Sequence, residues 1–205
     1  MSDIRILHRR ALTVTQSLVD QVDPAQLDLP TPCAAWTLGQ LLAHMTGQNH
    51  GFAAAARGES EDLAIWDDRP VGKDPAGVFA ASATDLVAAF AEEGALQRTL
   101  WLPEIHPRFR FPAAQAISFQ FIDTVVHAWD VGAAIGAPVV FDQELLDAAL
   151  PIAESVPDGE NRLTQGAAFQ PGLVDGAALD GAADGDGPTL DRILSLLGRS
   201  PKWRG

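Results

Sequence analysis

The sequence predicts an all-α fold, a four-helix bundle with additional C-terminal helices. Two observations support this fold class. Apolar residues recur at steps of three and four over most of the chain, which is the period of an amphipathic helix. Helix start and stop signals bracket those stretches. The 205 residues suffice for one good core and are short for two domains, so the helices are expected to pack as a single bundle.

The first helix is predicted over residues 3–22. It ends at Asp23, because the residue before a proline disfavours the helical conformation, and the proline-broken LDLPTPCAAW that follows is a loop. His8 stands in a basic cluster with two arginines, a pattern typical of a solvated face. The apolar face of this helix consists of Ile4, Leu7, Ala11, Val14, Leu18 and Val22.

The second helix is predicted to begin after Thr37, which stands three residues before Gln40 as in a capping box. Gly58 is a natural stop, because glycine adopts the left-handed conformation at helix C-termini. His44 lies at the flank of the apolar face and is therefore placed to face a neighbouring helix. That face consists of Leu38, Leu41, Leu42, Met45 and Phe52.

A third helix is predicted from Pro75 to about Glu93, with Asp74 as its N-cap. The next stretch, LQRTLWLPEIHPRFRFP, has β-branched and aromatic residues and internal prolines. It predicts an extended connection that includes at most a short strand.

The fourth helix is predicted from about Pro112 to Ile135, before Gly136, and the fifth from Gln143 to about Glu154. Residues 1–156 are then one helical bundle. Residues 157–205 comprise an irregular segment rich in glycine and aspartate and a short amphipathic helix, TLDRILSLLGRSPKW, which we expect to dock on the bundle.

Charge and composition exclude several classes of function. There are 27 acidic and 14 basic residues, a formal net charge of -13, which disfavours binding to nucleic acid. No apolar run reaches the roughly 18 residues of a membrane span. The first residues contain scattered charges and no signal-peptide core, so a cytoplasmic protein is expected. The single cysteine, Cys33, excludes a disulfide framework and a multi-cysteine zinc site.

The predicted fourth helix is apolar nearly all round and carries one narrow polar seam. In FQFIDTVVHAWDVG, the steps between the polar residues are three or four, so they share a sector roughly 80° wide. The seam consists of Gln120, Asp123, His127 and Asp130. It is either the solvated stripe of a well-buried helix or a set of ligands, because a carboxylate and an imidazole one turn apart reach the same ion.

A third ligand would have to come from another helix, and His44 is either that ligand or a histidine at the edge of the core that is held by a hydrogen bond. Asp130 lies one turn beyond His127, too far along the helix to bind the ion easily, and is expected either to support a histidine nitrogen or to be a surface carboxylate. Gln48, one turn after His44, and Gln120 are the other side chains expected at the pocket.

Two stretches and the end of the chain resemble a known family. PTPCAAWTLGQLLAHMTGQNHGFAAAARG and FIDTVVHAWDVGAAIG resemble the second- and fourth-helix signatures of the mycothiol-dependent maleylpyruvate isomerase N-terminal domain group. That group lies within the wider DinB/YfiT-like putative metalloenzymes. The ending DRILSLLGRSPKW is similar to an actinobacterial metal-binding branch of the family.

The resemblance implies a DinB-like four-helix bundle with three protein ligands on one divalent ion, at His44, Asp123 and His127. Aspartate stands at 123 where family members often have glutamate or histidine. Zinc suits these mixed ligands, and nickel, iron or manganese remain open. In the family, a metal-activated thiolate of mycothiol reacts with an electrophilic small molecule, so a mycothiol-dependent transferase- or isomerase-like enzyme is implied, with a homodimer possible.

The alternative is a non-catalytic metal- or thiol-binding module, or one that binds a partner. An exposed end of the bundle formed by Trp66, Trp101 and Phe109 would favour a partner surface. The absence of a Ser-His-Asp or Cys-His arrangement in the sequence fits the thiol chemistry, since the thiol cosubstrate brings its own nucleophile.

Overall fold

The computed structural model describes residues 3–33, 36–59, 61–163, 169–173 and 189–205. Four long helices form a bundle: α1 (Ile4–Val19), α2 (Leu38–Arg57), α3 (Pro75–Ala91) and α4 (Ala113–Ile135). Helix α1 packs against α3 and α4, and α2 packs against the same two helices. The predicted all-α bundle is therefore confirmed. Among the described residues, no helix combines the length and apolar character needed to cross a bilayer.

The helix ends follow the signals in the sequence. At α2, the Thr37 hydroxyl accepts a hydrogen bond from the Gln40 amide, and the Gln40 side chain accepts one from the Thr37 amide. Asp74 caps α3 through the Gly77 amide. Gly58 and Gly136 end α2 and α4 in the left-handed conformation.

A two-stranded hairpin stands between α3 and α4, where an extended connection was predicted. Strands β1 (Thr99–Trp101) and β2 (Arg110–Pro112) pair antiparallel. The loop between them carries Glu104. The hairpin leads directly into α4 and contacts α2 and α4.

The connection between α2 and α3 lies unusually close to α2. It contains the short 3-10 helix Leu63–Trp66, and the Arg69 amide donates to the Ala43 carbonyl. A Cβ atom at Gly47 would lie 2.5 Å from the Asp67 carbonyl oxygen, and one at Gly51 would collide with the Trp66 ring. Two glycines on one face of α2 therefore permit this close approach.

The C-terminal part returns to the bundle. Helix α5 (Gln143–Ser155) contacts α1 and α4, and α6 (Thr189–Leu196) packs on α5. Ile193 and Leu197 belong to the main hydrophobic core. Gly198 ends α6 in the left-handed conformation, with φ of 77°, and turns the chain so that Arg199 points inward. Most of the segment 157–187 lies outside the described residues.

Two expectations about exposure are wrong. His8 is only 1% exposed, because it faces the bundle beside Phe90 instead of sharing the solvent with Arg9. Trp66 is 5% exposed and packs edge-on against Phe52, so it does not form an exposed aromatic surface with Phe109. Trp66 therefore gives no support to a partner-binding face, whereas Phe109 is 51% exposed.

Candidate metal centre

Helices α2 and α4 bring three side chains of the predicted ligand set together. One possible ligand atom from each of His44, Asp123 and His127 lies within 4.8 Å of the other two. The His127 side chain is 1% exposed, Asp123 18% and His44 21%. The polar seam of α4 is therefore not a solvated stripe: most of it is buried against α2, with a narrow opening at His44 and Asp123.

His127 lies between two carboxylates of its own helix. Its Nε2 is 3.3 Å from Asp123 Oδ1, and its Nδ1 is 2.9 Å from Asp130 Oδ2. Burial lowers the pKa of His127, but the two carboxylates outweigh it and raise the pKa to about 9. In turn, burial raises the pKa of Asp123, but His127 and His44 hold it below its ordinary value.

His44 has a more open environment. Its Nδ1 is 3.4 Å from Asp68 Oδ1, a carboxylate that is 55% exposed on the loop packed against α2. The Trp36 ring stacks on the His44 ring, with 4.4 Å between the centroids and 28° between the planes. Burial lowers the pKa of His44, and the positive charge of His127 lowers it further. The neutral form, which binds metals, is therefore favoured.

Asp130 is fully buried and has a second partner besides His127. Arg199 Nε lies 3.0 Å from Asp130 Oδ1, and Arg199 Nη2 lies 3.1 Å from Oδ2, a bidentate geometry. Arg199 is 1% exposed. Asp130 thus contacts a histidine nitrogen, as expected for a supporting group, while its charge is balanced from the C-terminal segment.

Gln48 and Gln120 have different surroundings. Gln48 Nε2 donates to Glu104 Oε2 over 2.6 Å, which connects α2 to the hairpin loop. Burial raises the pKa of Glu104, and Asp123, Asp68 and Asp67 raise it further, although the bond from Gln48 opposes them.

Gln120 is buried one turn before Asp123 and faces a polar network rather than an open pocket. Its Nε2 donates to Asn49 Oδ1 over 3.1 Å, and Asn49 Nδ2 donates to the Ser82 hydroxyl over 3.0 Å. This network ties α4 to α2 and α3 beside the cluster. Gln120 therefore fixes the helices that carry the three candidate ligands.

The residues present fit a divalent cation. Two imidazoles and one carboxylate are common ligands of zinc, and three protein ligands leave a position for a water molecule or a substrate. Each histidine has a carboxylate at Nδ1, which favours the tautomer that binds a metal through Nε2. Among the described residues, this is the one group of three or more metal-binding side chains that converges.

Comparisons with known proteins identify the family of this chain. Residues 8–132 match the sequence profile of the mycothiol maleylpyruvate isomerase N-terminal domain. The chain belongs to this family. It is 32% identical over 143 residues to an uncharacterized protein of Mycobacterium tuberculosis, in strains CDC 1551 / Oshkosh and ATCC 25618 / H37Rv. The alignment covers 70% of this chain and 73% of that protein.

Solved structures agree at the level of the fold. The crystal structure of the mycothiol-dependent maleylpyruvate isomerase has a TM-score of 0.55 and 18% sequence identity to this chain. A histidine-to-alanine mutant of that enzyme gives a TM-score of 0.56 at 16% identity. Each match covers 73% of this chain and 66% of the isomerase. The described helices thus form the DinB-like fold of the maleylpyruvate isomerase family.

Three residues near the cluster were not predicted from the sequence. Asp68 and Glu104 come from loops, where no periodicity indicates which helix they contact. Arg199 lies in the stretch TLDRILSLLGRSPKW, which was expected to dock on the bundle, but no local pattern indicates which side chain it contacts. Cys33, the single cysteine of the sequence, is 6% exposed.

Proposed function

We propose that this chain binds one divalent cation through His44, Asp123 and His127 and uses it in a reaction of the thiol mycothiol. The activity is transferase- or isomerase-like, and the second substrate is an electrophilic small molecule. The observation that carries the proposal is the convergence, within 4.8 Å, of three ligand atoms from two different helices. Membership of the mycothiol maleylpyruvate isomerase N-terminal domain family supports the choice of thiol.

A divalent cation held here would lower the pKa of a thiol bound to it, so that a thiolate is present at neutral pH. The chain's own residues prepare the site. Asp130 accepts a hydrogen bond from Nδ1–H of His127, and His127 would then bind the cation through Nε2. Trp36 covers one face of His44 and fixes the plane of its ring. Zinc is the ion we propose, because the ligands are nitrogen and oxygen atoms in a three-residue set.

The charge on the exposed side of the cluster affects which second substrate can bind. Asp68 lies against His44 there, and the Glu104 carboxylate is close enough to Asp123, Asp68 and Asp67 for their charges to raise its pKa. An electrophile that arrives from solvent therefore meets negative charge. We infer that the preferred electrophile is neutral or cationic rather than a dicarboxylate.

The test begins with the metal content of the protein purified without a histidine tag. We expect about one zinc per chain in the wild-type protein by mass spectrometry, and loss of that metal in both His44→Ala and His127→Ala. His50→Ala is the matched control, because His50 is on α2 but is not part of the cluster. Wild-type protein without metal, or variants that retain it, would contradict the proposed site.

The thiol step has its own test. Mycothiol is titrated into the cobalt-substituted protein, and the absorption bands of cobalt and the heat of binding are recorded. A new sulfur-to-cobalt charge-transfer band is expected. Stoichiometric metal together with no spectral change and no heat would leave a metal-binding module without thiol chemistry.

A further inference from the structure

The strongest unassigned feature is the ion pair between Asp130 and Arg199. Together with the contact between His127 and Asp130, it is the most deeply buried ion pair in the part of the chain that the structure describes: Asp130 is 0% exposed, and Arg199 and His127 are each 1% exposed. Three hydrogen bonds of 3.0 to 3.2 Å join the guanidinium to the two carboxylate oxygens. Removing two charges from water is costly, and a pair in this position stabilises the fold little compared with apolar residues.

The position of the pair is informative. Asp130 Oδ2, which accepts from Arg199, is also the oxygen 2.9 Å from His127 Nδ1. The other nitrogen of His127 faces Asp123, 3.3 Å away. A continuous chain of contacts therefore runs from the guanidinium through Asp130 and the imidazole to the centre of the cluster.

Arg199 comes from a different part of the molecule than the three candidate ligands. It follows α6, outside residues 8–132, which match the family profile. Its backbone is fixed as well, because the Arg199 amide donates to the Leu194 carbonyl over 2.8 Å after the left-handed turn at Gly198. The turn after α6 thus delivers a cation to Asp130.

We propose that Arg199 is a positioning residue for the metal centre: it fixes and neutralises Asp130, which in turn orients His127 with Nε2 toward the ion. The C-terminal segment is then part of the functional unit rather than a cover for the bundle. This inference rests on the metal site put forward under Proposed function, and it concerns how that site is kept in shape.

Without Arg199, Asp130 would be a buried carboxylate with only the histidine as partner. It would rotate toward other donors or water, or take up a proton, and in either case its hold on Nδ1 of His127 would weaken. Supporting groups of this kind typically change metal affinity by about 10- to 100-fold. Lysine could balance the charge but lacks the planar pair of donors that matches a carboxylate.

The experiment compares zinc and cobalt affinity of metal-free proteins, measured by competition with a chromogenic chelator. We expect Arg199→Met to weaken both affinities by about 10- to 100-fold and to shift the cobalt absorption bands. Arg199→Lys, which balances the charge but lacks the paired donors, should recover only part of the affinity. In an Asp130→Asn background, Arg199→Met should leave affinity unchanged or improve it, because the arginine has no carboxylate left to position.

Two controls separate this role from general damage. Arg57 is at the opposite end of α2 from His44 and forms ion pairs with Asp85 and Glu92. Arg57→Met removes one positive charge there, so it matches the change in net charge of Arg199→Met. Leu86→Ala weakens the core on α3. Both should keep wild-type metal affinity. If Arg199→Met fails to fold, two other variants still test the positioning role of Arg199. They are Arg199→Lys and the double variant of Asp130→Asn with Arg199→Met, neither of which leaves a buried carboxylate without a cationic partner.

The outcomes are distinguishable. Equal loss of affinity on removing Arg199 in the wild-type and Asp130→Asn backgrounds would show that it does not act through Asp130. Wild-type affinity in Arg199→Met, or an equal loss in Leu86→Ala, would also overturn the inference while leaving the metal site intact. A wild-type protein that binds neither ion would remove the proposed function and this inference together.

Discussion

Two histidines of this protein are equally buried and have opposite acid–base properties. His8 on α1 and His127 on α4 are each 1% exposed. Burial lowers the pKa of His8 to about 3, whereas the pKa of His127 is raised to about 9. His8 packs beside Phe90, and its Nε2 has no hydrogen-bond partner among the described residues. His127 has a carboxylate at each nitrogen.

The difference shows that depth in the core does not by itself mark a functional histidine. What distinguishes His127 is the charge around it: two carboxylates of its own helix and a second imidazole 5.8 Å away on α2. Ionisable groups of both signs gathered at one buried position, with shifted pKa values, mark a candidate functional site. His8 has aromatic and aliphatic neighbours and serves packing.

The largest effect is expected when each histidine is replaced by leucine. His127→Leu should weaken zinc binding by more than about 100-fold, because it removes a ligand and leaves two carboxylates without their shared partner. His8→Leu should change zinc binding by less than about twofold. Competition with a chelator measures both. A similar loss of zinc affinity in the two variants would contradict the different roles of His127 and His8.

Asp123→Asn tests whether the anionic ligand matters as much as the imidazoles. The amide is a weaker ligand without a charge, so we expect zinc affinity to fall by about 10- to 100-fold. Calorimetry on the metal-free protein measures the change. Wild-type affinity would mean that Asp123 adjusts His127 without binding the ion.

A third prediction concerns pH and rests on His8 alone. Its folded-state pKa of about 3 lies below the ordinary value of 6.5, so between these values the unfolded chain binds more protons than the folded one. Stability therefore falls as the pH falls through this window, by up to about 1.4 kcal/mol per pH unit. Urea unfolding at about pH 7 and about pH 5 measures the loss.

The control for the pH experiment is His8→Leu, which cannot take up a proton at this position. The variant should lose less stability between the two pH values than the wild-type protein does. Parallel losses in the two proteins would show that other groups cause the acid sensitivity, and that His8 is not held neutral by its surroundings.

The smallest effect is expected at the exposed carboxylate. Asp68→Asn should weaken zinc binding by less than about threefold, since Asp68 is 55% exposed and its contact to His44 Nδ1 is 3.4 Å. The same variant should bind a negatively charged electrophile better than the wild-type protein does, which steady-state kinetics would show. A tenfold loss of zinc would place Asp68 among the ligands.

Much of this architecture could be predicted from the sequence. Caps such as Thr37 with Gln40, and stops such as Gly58 and Gly136, are local signals, and the helices begin and end there. The three converging side chains could be proposed because two lie one turn apart on α4 and the third lies at the edge of the face of α2.

Other features depend on contacts between distant parts of the chain. The burial of His8 could not be predicted, since its two charged neighbours, Arg9 and Arg10, indicated a solvated face although His8 lies beside the apolar face of α1. Asp68 and Glu104 reach the cluster from loops whose paths are set by packing rather than by periodicity. Arg199 pairs with Asp130 across 69 positions of the chain, which no local pattern encodes.

The two glycines of α2 have a consequence for how this centre can change over time. Gly47 and Gly51 hold no polar group, yet they let the 63–68 connection lie against the helix and bring Asp68 to His44. A methyl group at either position would push that connection outward and withdraw a negative charge from the entrance. Substrate preference could thus drift through steric substitutions alone, with every candidate metal ligand left in place.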